Sequence, residues 1–235
     1  MQLLNLVLIG LLTPESNPRH ARLGRKLDLR LANPLGALRL LFGRSARRRA
    51  AALTFCLIWL ANSCLNALFN NYVNYRFGWG PKQAGPLLVV VGLMLAITPR
   101  LLVPRLGLQR SIRLGILVFA AGQLANGLAA TPPLFFGAIF LTSIGTVCLP
   151  ATVAFLANMA AEEERGALLG GLQTLQELCS ALALFLYGRL FAFAISERAP
   201  VRLPGIPFIA AAGFLVLAFC LFEFTRAGSD DLDRR

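Results

Sequence analysis

The stretch AALTFCLIWLANSCLNALFNNYV, residues 51–73, decides the fold. It contains no Asp, Glu, Lys or Arg. As an α-helix rising about 1.5 Å per residue it is long enough to cross the roughly 30 Å hydrocarbon core of a bilayer. Its polar breaks are small hydroxyls and amides, and the amides are ordered. Asn62, Asn66, Asn70 and Asn74 recur every fourth residue, which lays them along one slowly drifting stripe of a helix. An amide facing lipid is costly, so this stripe is expected to face protein or a water-filled cavity.

Five further apolar blocks follow, at 84–102, 112–130, 134–157, 167–193 and 207–223, each of spanning length. Short segments join them (Asn74–Gln83, Val103–Ser111, Thr131–Pro133, Asn158–Gly166 and Ala194–Ile206), punctuated by Gly78, Gly80, Pro81, Pro132, Pro133, Pro204 and Pro207. The composition agrees. Of the 235 residues 57% are hydrophobic and only 14% charged, where a soluble domain carries about a quarter; the mean hydropathy is +0.66. A chain of this size has no core large enough to hide six helices that are apolar all round, so the lipid bilayer is their solvent. The expected fold class is an all-α membrane protein with a six-helix transmembrane domain over 51–223.

Residues 1–12, mostly apolar, are too short to span and read as the remnant of a preceding transmembrane helix whose beginning lies upstream. Residues 13–50 carry ten of the 23 Lys and Arg against Glu15 and Asp28. Leu35, Leu38, Leu41 and Phe42 within this segment predict an amphipathic helix lying on the membrane surface, started by Asn33-Pro34. Residues 224–235 form a tail. With the basic segment on the cytoplasmic side, that side also gathers Arg100, Arg105, Arg110, Arg113, Arg165, Arg226, Arg234 and Arg235, eighteen basic residues in all. The opposite side holds Arg76, Lys82, Arg198 and Arg202. This asymmetry places both ends of the six-helix unit in the cytoplasm. Which membrane it is, the sequence does not say.

The net charge of +12 sits in loops between apolar blocks rather than on a soluble face, and no nucleic-acid-binding motif accompanies it, so nucleic acid is not an expected partner. The five cysteines (Cys56, Cys64, Cys148, Cys179 and Cys220) all lie inside apolar blocks without a C-x-x-C pair, and His20 is the one histidine. No metal site and no cofactor is expected; the cysteines read as small packing residues. The sequence contains neither G-x-S-x-G nor H-E-x-x-H, and no pore-loop filter, so neither an enzyme nor a channel is expected.

At this point the residues resemble a family. Leu11-Leu12-Thr13-Pro14-Glu15-Ser16 is similar to the close of the sixth helix of a major facilitator superfamily transporter, and 33–39 (NPLGALR) to the surface helix before the seventh. Phe77-Gly78-Trp79-Gly80, Gly85 and Val91-Gly92-Leu93 resemble that family's seven–eight loop and eighth helix. Pro104-Arg105-Leu106-Gly107 with Arg110 resembles the second copy of its basic loop motif, here with Pro104 where an acidic residue often sits. Pro150-Ala151, Glu164-Arg165-Gly166, Gly170 and Leu186-Tyr187-Gly188 resemble the tenth and eleventh helices of the tetracycline-efflux-like branch, which includes the hippocampus-abundant-transcript-like proteins. The Gly-Pro often preceding that Tyr-Gly is replaced by Ala183-Leu184. The resemblance implies the C-terminal half of a twelve-helix transporter, moving a small organic solute or drug by alternating access, with a proton as a possible coupling ion. It also leaves a second reading open: a half-unit or truncated product that works only with a separate N-terminal half or a second copy.

Several residues are candidates for the substrate pathway. In the resembled family the first and fourth helices of each half line the cavity, which nominates Asn62 and Asn66, and Thr142 and Thr146 with the kink at Pro150. Gln173 and Glu177 share a face four residues apart, and Glu177 is the one carboxylate well inside a span, suited to carrying a proton. Gln123 and Asn126 join them. Each has a plainer reading as interhelical hydrogen-bond glue, and Glu177, eleven residues past Gly166, as a hydrated group about 16 Å from the helix start. Arg105, Arg110 and Glu164 are candidates for a cytoplasmic gate, with the 162–164 acidic run pairing to Arg105 or Arg110. Gly166-x-x-x-Gly170 predicts a close approach of two helices.

Overall fold

A computed structural model describes residues 45–161, 164–197 and 202–230, together with Gly10, Leu38, residues 41–43 and Ala199. The readings for 1–12, for most of the 13–50 segment, for Glu162 and Glu163 and for the last residues of the tail lie outside the described residues. Among the described residues, six helices are long and apolar enough to cross a membrane. We label the elements α1 (Ala46–Phe77), α2 (Pro81–Leu106), α3 (Leu108–Leu128), α4 (Pro132–Gly145), α5 (Cys148–Asn158), α6 (Arg165–Ile195) and α7 (Ile206–Asp230). α4 and α5 together make one span, broken at Thr146-Val147.

The helices outrun the apolar blocks because helix ends continue into the interfacial layer. Ser45 caps α1, its Oγ accepting from Arg48 N at 3.1 Å, so the Arg47–Arg49 cluster forms the first turn of the helix itself. The expected Val103–Ser111 loop collapses to one residue. α2 runs through Pro99 and Pro104 to Leu106, and α3 starts at Leu108. Gly107 between them sits at φ 76°, a left-handed conformation in which a side chain is strained. α7 likewise continues past the apolar block to Asp230.

α1 and α3 organise the bundle: α1 packs against α6, α7 and α5, and α3 against α4, α7, α5 and α2. The tightest seams are made by glycine. A Cβ at Gly145 would collide with the Phe119 backbone, one at Gly122 would come within 2.6 Å of Thr142 N, and one at Gly115 within 2.9 Å of Cys148 N. Just before α7, Gly205 sits directly on the Gly127 backbone. Gly166 and Gly170, by contrast, have no atom of another described element within 4 Å of an added Cβ. Among the described residues the close approach expected there is not made, and α3 carries such approaches instead. Two apolar clusters fill the interior: a large one around Tyr72, Phe119, Phe135, Tyr187 and Phe208, and a smaller one joining Leu41, Ala51, Ala52 and Phe55 to Leu168, Leu172 and Cys179. α2 buries only Ala84, Leu87 and Thr98.

Candidate functional site

The polar candidates separate into two groups according to what covers them. Gln123 and Asn126 are both fully buried. Gln123 Nε2 donates to Ala61 O at 3.0 Å, tying α3 to α1. Asn126 Nδ2 donates to Thr142 Oγ1 at 2.9 Å, tying α3 to α4. The Asn126 carbonyl accepts from Tyr72 Oη at 3.2 Å. Gln123 Oε1 and Asn126 Oδ1 have no partner among the described residues. Thr146 Oγ1 turns back to Ser143 O at 2.7 Å, satisfying a carbonyl at the α4–α5 break. Gln123, Asn126 and Thr142 thus tie neighbouring helices, Thr146 bonds back within its own span, and none of the four lines either of the two cavities described below.

The second group is uncovered. Asn62 is half-buried, and Asn66, Gln173 and Glu177 are exposed. Gln173 Nε2 donates to Glu177 Oε1 at 2.9 Å, along α6 itself. Asn62 lies near the middle of the 32-residue α1, and Glu177 three residues from the middle of the 31-residue α6. The seam between the two helices fixes their mutual orientation. Trp59 Nε1 donates to Ser180 Oγ at 3.1 Å, the sulfurs of Cys56 and Cys179 lie 3.1 Å apart, and Tyr187 Oη donates to Leu60 O at 3.1 Å. At about 100° per residue, Asn62 and Asn66 leave this seam on the same flank as Gln173 and Glu177. The exposed Leu178, Leu182 and Phe185 point away from it. The result is a strip of amides and one carboxylate at mid-span depth. Trp59, Ser63 and Ser180, which buttress the strip, were not nominated from the sequence: a lone Trp or Ser in an apolar block has no pattern to single it out.

At the C-terminal end of α1 the asparagine stripe runs into a cavity of about 710 Å³ lined by Asn70, Asn74, Tyr75, Trp79 and Phe191. At the arginine-rich end a second cavity of about 800 Å³ is lined by Arg47, Gln109, Arg110, Asn158 and Met159. Arg105 is exposed. Glu164 does not reach either gate arginine: its Oε2 stands 3.8 Å from Arg48 Nη1, and Arg48 Nη2 also donates to Met159 O at 3.1 Å. A second ion pair, Arg113–Glu223, joins α3 to α7. No group of metal-ligating side chains occurs among the described residues.

This six-helix arrangement has a counterpart among solved structures. It superposes on the human organic anion transporter MFSD10 with a TM-score of 0.75 at 20% identity, over 94% of this chain and 54% of that one. No family model matches the sequence. Among curated proteins it is similar to hippocampus abundant transcript-like protein 1, at 24% identity to the rat protein over 94% of this chain and 48% of that protein. It is also similar to human hippocampus abundant transcript 1 protein, at 25% identity over 80% of the chain and 40% of that protein. The chain thus spans about half the length of the curated relatives it matches.

Proposed function

We propose that this chain is the C-terminal half of a secondary transporter that moves a small organic solute by alternating access, with the flank of α1 and α6 forming one wall of the central cavity. The observation that carries this reading is the uncovered strip of Asn62, Asn66, Gln173 and Glu177 at mid-span depth. Amides and a carboxylate there are costly against lipid, so the flank meets water or a second protein wall. Amides both donate and accept without fixing a charge, and in this reading Glu177 carries the coupling proton. The tetracycline-efflux-like branch and a cytoplasmic location of both ends belong to this proposal. The structural neighbour is described as an organic anion transporter; this flank offers a carboxylate and amides, so neutral and cationic solutes belong in the test panel beside anions.

The test is solute uptake by proteoliposomes containing the full native gene product. Asn66→Leu is expected to lower transport at least tenfold while leaving thermal stability unchanged, and Glu177→Gln to abolish the dependence on a proton gradient. Wild-type transport in both variants would sink the assignment of the wall. A second reading is favoured by the match to about half of each relative's length: the chain is one wall, and needs a partner half to transport. Transport by this chain only when co-reconstituted with such a half is its signature.

A further inference from the structure

We infer that Cys56 and Cys179 form a redox-modification site, a thiol pair that closes to a disulfide and staples α1 to α6. The two cysteines lie 123 positions apart in the chain, yet their sulfurs are 3.1 Å apart. About 1 Å of closure separates them from a bonded pair at ~2.05 Å. Cys179 Sγ also lies 3.8 Å from Cys56 O, so it rests against the opposing helix rather than its own. The neighbours hold this register. Trp59–Ser180 spans the same seam one turn on, and the smaller apolar cluster, with Ala52, Phe55, Leu172 and Leu175, packs the other side. Cys56 is half-buried and Cys179 almost wholly buried, so a small neutral oxidant reaches the pair through Cys56. The other three cysteines lack such a partner: Cys64 and Cys148 are fully buried and Cys220 is exposed on α7, and no sulfur contact joins them to another cysteine.

The chemistry balances with hydrogen peroxide as oxidant. One sulfur attacks the peroxide oxygen, the O–O bond breaks, and a sulfenic acid and one water form. The second sulfur attacks the sulfenyl sulfur, the S–S bond forms and the hydroxyl leaves as a second water. Two thiols lose two electrons and two protons, and the peroxide is reduced to two waters. A thiol reductant reverses the step. The site stands independently of any transport activity. The experiment oxidises the purified full chain in lipid nanodiscs with hydrogen peroxide, counts free thiols after denaturation, and maps the peptides by mass spectrometry. Wild type is expected to lose two of its five thiols, to yield one linked pair of peptides carrying Cys56 and Cys179, and to recover both thiols with dithiothreitol. Cys56→Ser and Cys179→Ser are expected to lose none, and Cys220→Ser still two. Oxidised wild type is expected to melt at a higher temperature than reduced, a gain absent from Cys56→Ser. Five thiols surviving oxidation, a link through Cys220, or oxidation of Cys56 without a link would overturn the inference, and the wild-type peptide map decides it even where a variant fails to fold.

Discussion

At the scale of single residues, what a polar side chain does inside the membrane depends on whether a second helix covers it. Asn126 and Asn66 are the same residue in comparable apolar surroundings. Asn126 is fully buried and bonded to Thr142, while Asn66 is uncovered. Thr142→Val removes the acceptor and leaves the Asn126 amide without its partner. The expected loss is on the order of 1 kcal/mol, since hydrogen bonds between membrane helices contribute modestly, and unfolding in a titration with dodecyl sulfate measures it. Asn66→Leu is expected to leave that unfolding curve in place. The residue identities and spacing were legible in the sequence; the cover was not, because period alone does not say which face of a helix another helix occupies.

At the scale of helices, glycine placement sets the packing. Gly115 and Gly122 are seven residues apart on α3 and admit α5 and α4 to backbone contact, and Gly145 admits α3 in return. Gly145→Ala pushes a methyl group into the Phe119 backbone, so α4 must separate from α3. The expected cost is about 1–3 kcal/mol, as for overpacking a filled core, read in the same titration. Gly166→Ala and Gly170→Ala meet open space. Each is expected to leave stability equal or slightly raised, since Ala is favoured over Gly in a helix by up to ~1 kcal/mol. The spacing of Gly166 and Gly170 fits the small-residue packing motif, and the pairs that actually touch do not. Packing glycines are chosen by the crossing point of two helices, which is a tertiary property.

At the scale of the molecule, two contacts organise the arginine-rich end: Arg48–Glu164 brings the start of α1 to the start of α6, and Arg113–Glu223 joins α3 to α7. If Glu164 acts as part of a gate, its partner is Arg48, and reversing Glu164 with Arg48 should restore transport that either reversal alone reduces; reversing it with Arg110 should not. Orientation is tested on the same scale. In intact cells, cysteines placed at Lys82 and at Arg105 in an otherwise cysteine-free chain are expected to react with a membrane-impermeant maleimide at Lys82 only. Equal labelling would refute the sidedness drawn from the charge asymmetry. α2 leaves Leu88, Val89, Leu93 and Ile97 uncovered, an apolar surface fit for lipid or for a second half.

The sequence by itself determined that the chain is a bundle of six spans, which residues lie near their ends, and that no catalytic or metal motif is present among them. Those properties follow from hydropathy and charge, which depend only on the local run of residues and the thickness of the bilayer. The tertiary structure decided which polar residues are covered and which lie in an uncovered strip, which glycines meet, which carboxylate finds which arginine, and that Cys56 faces Cys179 across the seam. Each of these is fixed by how helices distant in sequence rotate and cross. A single chain's apolar pattern leaves that choice open, because in a bilayer every face of such a helix is apolar enough to be buried.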